Sequence, residues 1–263
     1  VAAIWNGILS AAGAAPAREG GHADPLTRFA AVHARIESIA ARVEVRMTHS
    51  VTGRTSEVPP PERYVFKVKA IRDPNPAERT EESWIIEAQG IRPKTPPLRY
   101  ASRNVWTRSQ NGAWARNPAY RDALALKMLA VARGWAFQYL EDVPERWQER
   151  AKVNILDGAY RYGGIRAWRL EVLPKFRAVQ TSLASRWEVV MSHDGLPLYS
   201  RSTDRQEREV TVITSRDWRK VNGCPISHAF TIVVRPPQER RPDAPDPVTT
   251  LDCRLSDVAV VLK

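Results

Sequence analysis

The sequence predicts an α+β protein: a curved antiparallel sheet of about a dozen strands, preceded by a helix and interrupted by a helical insert. Three observations carry that prediction. Apolar residues alternate with period two through most of the chain. Asn-Gly and Asp-Gly pairs punctuate the alternation, and one long stretch after residue 118 abandons it for helical spacing.

The elements follow in chain order. Residues 1–23 open with "VAAIWNGILSAAGAAPA", an uncharged, alanine-rich run with an A-x-A-like site at Ala15 to Ala17. That pattern predicts a signal remnant or disordered leader, and hence export. The folded domain is expected from 24 to 263. Asp24-Pro25 is a helix start, a side-chain cap followed by proline at the first helical position. Leu26, Phe29, Val32, His33, Ile36, Ile39, Ala40 and Val43 then recur at spacings of three and four, so the helix is expected to run to Val43, with His33 in its core-facing stripe.

From "VEVRMT" the period is two. It persists through "RYVFKVKAI", "SWIIEAQ", "LRYAS", "NVWTRS", "AWARN", "IRAWRLEVL", "SRWEVVM", "LPLYSRST", "EVTVITS", "HAFTIVVR" and "SDVAVVL". Asn111-Gly112, Asp157-Gly158, Asp194-Gly195 and Asn222-Gly223 supply the positive backbone angles that tight hairpins need. An antiparallel meander is the simplest chain path. The proline-rich gaps at 58–61, 74–76 and 236–247 read as solvent loops. The helical insert spans 119–150, where Leu124, Met128, Val131, Trp135 and Tyr139 share a face that Leu129, Ala132 and Phe137 widen. Such a helix either plugs one side of the sheet or forms a lid over an apolar cavity.

Chemistry-bearing motifs are missing. The chain has no GxSxG, HExxH, GxxxxGK[ST] or GxGxxG, and its five histidines have no cysteine or carboxylate at metal-ligand spacing, so no enzyme, metal or cofactor is expected. The glycines around Gly163 read as a turn, not a phosphate loop. Forty Lys plus Arg against 29 Asp plus Glu leave a net charge of +11. That balance favours an anionic membrane surface or nucleic acid, and equally suits an arginine-rich but ordinary soluble protein. Arg103, Trp106, Arg108, Trp114 and Arg116 resemble a stacking platform for single strands. Alternation of a dry and a wet strand face explains them more simply, so nucleic acid is not the expected partner. Cys224 and Cys253 lie at the ends of late strands that antiparallel pairing brings together, which predicts a disulfide worth roughly 3 kcal/mol.

The dry faces are long and aromatic: Tyr64, Phe66 and Val68; Trp84, Ile86 and Ala88; Trp168, Leu170 and Val172; Trp187, Val189 and Met191. A sheet that broad encloses either a packed core or a hollow one.

Short motifs then point to a known family. "GIRPKTPPLRY", "SQNGAWARNP", "WRLEVLPK", "WEVVMSHDGLPLYSRSTD" and "DWRKVNGCPIS" resemble successive strands and turns of the periplasmic lipoprotein-carrier (LolA-like) superfamily, across residues 24 to 263. The resemblance implies a half-open β-barrel of about 11 strands with an N-terminal helix and a helical lid. It implies no catalysis and no cofactor. It also implies a periplasmic carrier of lipid or lipoprotein acyl chains, with an inner-membrane donor, an outer-membrane acceptor and transient contact with an anionic membrane surface. The alternative within the same fold is an envelope-stress sensor or protein-interaction module. Acyl chains would lie against Phe66, Trp84, Ile86, Trp106 and Trp114 on the early strands, and Trp168, Leu170, Trp187 and Val189 on the later ones. Leu124, Met128, Val131 and Trp135 would cover them from the lid. Arg92, with Arg99 as the second choice, matches the family's lid-latching arginine.

Overall fold

A computed structural model of the chain describes residues 27–28, 31, 34–51, 59–72, 84–101, 104–140, 151–174, 185–235 and 247–263. The first half forms β1 (Ile36–Val51), β2 (Glu62–Arg72), β3 (Trp84–Gln89), β4 (Leu98–Ala101), β5 (Asn104–Arg108) and β6 (Trp114–Arg116). Helix α1 (Ala123–Leu140) follows. The second half forms β7 (Ala151–Tyr162), β8 (Ile165–Pro174), β9 (Arg186–Ser192), β10 (Pro197–Thr203), β11 (Glu209–Val221), β12 (Cys224–Val234) and β13 (Pro247–Leu262).

All thirteen strands belong to one antiparallel sheet in the order β6-β5-β4-β3-β2-β1-β13-β12-β11-β10-β9-β8-β7. The chain therefore starts in the middle, steps outward hairpin by hairpin to the β6 edge, crosses through α1 to the β7 edge, and steps back until β13 pairs with β1. The sheet is open, and α1 is the connection that joins its two edges. Asp122 starts the helix, its Oδ1 accepting the Ala125 N–H at 2.9 Å.

The expected N-terminal helix is corrected. Thr27, Arg28 and Ala31 are helical, but Ile36, Ile39, Ala40 and Val43 lie in β1. The cause is a β-bulge: pairing with β13 shifts register between Ile36 and Ser38. A bulge inserts one residue, so Ile36 and Ile39 both face the core although they are three apart. That spacing imitates one turn of helix. Residues 1–23, Leu26, Phe29, Val32, His33 and the 141–150 end of the insert lie outside the described residues.

Strand β7 is the element that period reading misses. Asp157-Gly158, expected to make a hairpin turn, sits inside it at two register shifts, with Asp157 Oδ1 accepting the Ala159 N–H at 2.8 Å. A Cβ on Gly158 would stand 3.2 Å from the Trp168 ring, so the glycine is there for close approach. The reversal itself falls at Gly163 and Gly164, whose φ values of 54° and 83° make the β7–β8 turn. The other three Asx-Gly pairs do join successive strands, at β5–β6, β9–β10 and β11–β12.

One face of the sheet carries the core. A single register line runs from Met47 on β1 through Leu251, Ile232, Ile213, Ser200 and Val189 to Leu170 on β8. Every residue on it is buried. Burying each large aliphatic side chain in such a line is worth about 1.5–3 kcal/mol, which is what holds distant hairpins in one sheet.

Candidate functional site

The candidate site is the seam between the inner face and α1, which packs on β1, β3 and β4. Small residues permit the close approach. Ala41, Ala70 and Ala88 on the sheet, and Ala125 and Ala132 on the helix, are all buried. Between them Met128, Val131 and Trp135 have no exposed surface, and neither do Ile86 and Leu98 beneath. Among the described residues the seam is therefore closed along the helix's apolar stripe.

Most residues expected to meet acyl chains share this interior. Phe66, Ile86, Leu170, Trp187 and Val189 are buried in the same cluster as Met128, Val131 and Trp135, and Leu124 and Trp168 are partly buried against it. Trp84 opens β3, but its side chain lies outside the described residues. Two others are misplaced by sequence reading. Trp106 pairs with Arg99 and Arg116, and Trp114 pairs with Arg108, whereas the core-facing positions of these strands are Leu98, Tyr100, Val105 and Thr107. Trp106 and Trp114 therefore sit on the outer face, together with the arginines beside them.

The latch expectation moves for the same reason. Arg99 is on the outer face, donating to Glu87 at 2.6 and 3.0 Å and stacking 4.2 Å above the Trp114 ring, so it points away from α1. Arg92 is exposed in the β3–β4 turn, where its carbonyl accepts the Thr95 N–H at 3.1 Å.

The disulfide expectation is overturned. Cys224 and Cys253 are both free and buried. Cys253 pairs across the sheet with Phe230, six residues further along β12 than Cys224. Six residues of strand separate the thiols by about 20 Å, far beyond disulfide reach. Burial pushes both thiols above their ordinary range, Cys253 most strongly, so neither forms a reactive thiolate. A thiol reagent is expected to label neither cysteine in the folded protein and both after denaturation. Rapid labelling under native conditions would contradict the burial.

Two ionic arrangements are not legible in the sequence because they arise across strands. Burial raises the Glu188 carboxyl, but Arg169 at 2.8 Å and Arg201 at 2.9 Å more than offset this and hold it below the usual carboxylate range. In a cleft of about 720 Å³ across β1, β2 and β11–β13, Asp217 and His228 come together. Arg219 occupies both oxygens of Asp217 at 2.9 and 2.7 Å, and burial lowers the His228 pKa. Among the described residues no three His, Cys, Asp or Glu side chains cluster to hold a metal.

No family model and no curated protein matches the sequence. Solved structures do match the fold. A domain named for outer membrane lipoprotein sorting, from Vibrio parahaemolyticus, superposes with a TM-score of 0.55 at 12% identity, over 90% of each chain. A DUF1329 family protein from Desulfovibrio piger reaches 0.47 at 12% identity over 90% of this chain and 93% of that one. A LolA superfamily protein from Nitrosomonas europaea reaches 0.48 at 10% identity over 90% and 94%. The open antiparallel sheet, the edge-joining helix and the Vibrio superposition together show that this chain shares the fold of that lipoprotein-sorting domain.

Proposed function

We propose that the protein is a non-enzymatic periplasmic carrier that takes lipid or lipoprotein acyl chains between the inner face of its sheet and α1, the helix serving as lid. The observation that supports this reading most is the apolar seam itself: a broad sheet face, apolar apart from buried hydroxyls such as Ser200, Ser202 and Thr211, whose cover on β1, β3 and β4 is a helix joined to both sheet edges. A helix attached in that way can lift without breaking any strand pairing. Cargo and helix would compete for the surface around Ile86 and Leu98 below Leu124, Met128 and Val131, and Phe66, Leu170 and Val189 would extend that apolar face beyond the helix. An acyl chain of about 14 carbons gains on the order of 10 kcal/mol on burial before ordering costs, which would offset the apolar contacts that the helix gives up on lifting. The lipoprotein-sorting name of the Vibrio domain agrees with this class of cargo. A carrier of this kind requires a donor in the inner membrane and an acceptor in the outer one.

Native mass spectrometry of protein recovered from a bacterial periplasm, with titration of a fluorescent fatty acid, tests the proposal. Bound lipid, or saturable uptake that the extracted lipid competes away, is the expected result. Protein that carries no lipid and takes up no fatty acid would refute the carrier reading.

A further inference from the structure

The outer face of β1–β6 carries a charge pattern that folding alone does not favour. Arg42 on β1 is paired directly with Lys67 on β2, and Arg46 with Arg63. Like charges directly opposite one another on neighbouring strands repel and destabilise the sheet. Glu44 relieves the second pair by reaching Arg63 at 3.6 Å. Among the described residues the first pair has no such acid: Arg42 and Lys67 lie in a groove of about 320 Å³ with Lys69, Arg108 and Trp114. Glu87, already engaged by Arg99, and Asp257 also line that groove, so four cations, Arg42, Lys67, Lys69 and Arg108, face two carboxylates and the groove stays net positive. Exposed Val65 lies next to it, between Arg63 and Lys67 on β2. Half-buried Trp106 and Trp114 extend the face to the open edge at β6.

Cations around a groove, with tryptophan and an exposed aliphatic side chain among them, match the headgroup region of an anionic bilayer. Phosphates would neutralise the Arg42–Lys67 repulsion, and indole rings favour the polar–apolar boundary. We propose that the outer face of β1–β6 docks this protein on the surface of an anionic phospholipid membrane, with the Arg42–Lys67 groove taking headgroup phosphates. The site lies on the opposite side of the sheet from α1, so docking leaves the seam free to open. It stands whether or not the seam takes cargo.

The test is sedimentation of the full chain with vesicles of phosphatidylcholine, with and without phosphatidylglycerol. Binding is expected to the anionic vesicles and to fall about tenfold in Lys67→Glu, which reverses one charge at the membrane. The same substitution gives Arg42 an acidic cross-strand partner in place of a like charge, so the melting temperature should stay level or rise. A loss of binding with no loss of stability separates docking from a structural role. Lys152→Glu, an equal charge change on β7 at the opposite sheet edge, should leave binding within about twofold. Equal losses in both variants would reduce the effect to net charge and overturn the assignment, as would equal binding to neutral vesicles. Tighter binding to a single-stranded oligonucleotide than to vesicles, lost in Lys67→Glu, would assign the face to nucleic acid instead. Sedimentation reads attachment to intact vesicles through the outer face and fatty-acid titration reads uptake into the seam, so each proposal can fail without the other.

Discussion

Met128→Asp is expected to unseat α1 while leaving the sheet folded. Met128 has no exposed surface, so a carboxylate there meets neither water nor a partner. Its burial costs several kcal/mol. The cheapest escape is local, because α1 rests on β1, β3 and β4, whereas the strands are held to one another by ladders that the helix does not touch. The loss is then capped at the free energy of lifting the helix. Amide exchange across 123–140 should accelerate by about a hundredfold, on the order of 3 kcal/mol, with strand protection unchanged. Fatty-acid uptake should weaken as well, since the lid's apolar stripe is broken. If strand amides and helix amides lose protection together, α1 is a plug belonging to the cooperative core, and the carrier proposal loses its moving part.

Trp187→Ala is expected to give a global loss of about 3–5 kcal/mol, the cost of leaving a cavity the size of an indole in a packed interior. Trp187 lies on β9 between Val172 and Ser202, fully buried, far in the chain from α1. Unlike Met128, it cannot escape by a local motion without opening the β8–β9–β10 pairing. Its indole Nε1 is buried without a hydrogen-bond partner among the described residues. Trp187→Phe removes that unsatisfied donor while keeping most of the ring, so its cost should be only about 1 kcal/mol. Urea unfolding of the two variants measures both values. A Phe variant as damaging as the Ala variant would mean that the indole N–H is satisfied after all.

Legibility of the fold followed from how local each signal was. Twelve strands could be read because alternation such as Tyr64, Phe66, Val68 is a property of neighbouring residues. The failures share one origin. The bulge at Ile36–Ser38 exists only because β13 pairs there, and without the partner the same residues read as helix. Asp157-Gly158 has turn chemistry, but Trp168 on β8 and the pairing around it keep the segment in strand. The separation of tryptophan from charge onto opposite faces holds for Trp168 and Arg169 or Trp187 and Glu188, one residue apart. It fails for Trp106 and Arg108, or Trp114 and Arg116, which are two apart and so share a face.

By itself, the sequence determined the class, three of the four Asx-Gly turns, the helical insert and the absence of recognisable catalytic motifs, since each rests on residues within a few positions of one another. Tertiary structure alone decided which face β5 and β6 present, that α1 joins the two open edges, that Arg42 confronts Lys67, and that Cys224 and Cys253 lie far apart. These depend on register, and register is set by the summed burial of whole strands against partners as distant as β1 from β13. Shifting a strand by one residue costs nothing in local propensity and exchanges every side chain between core and solvent.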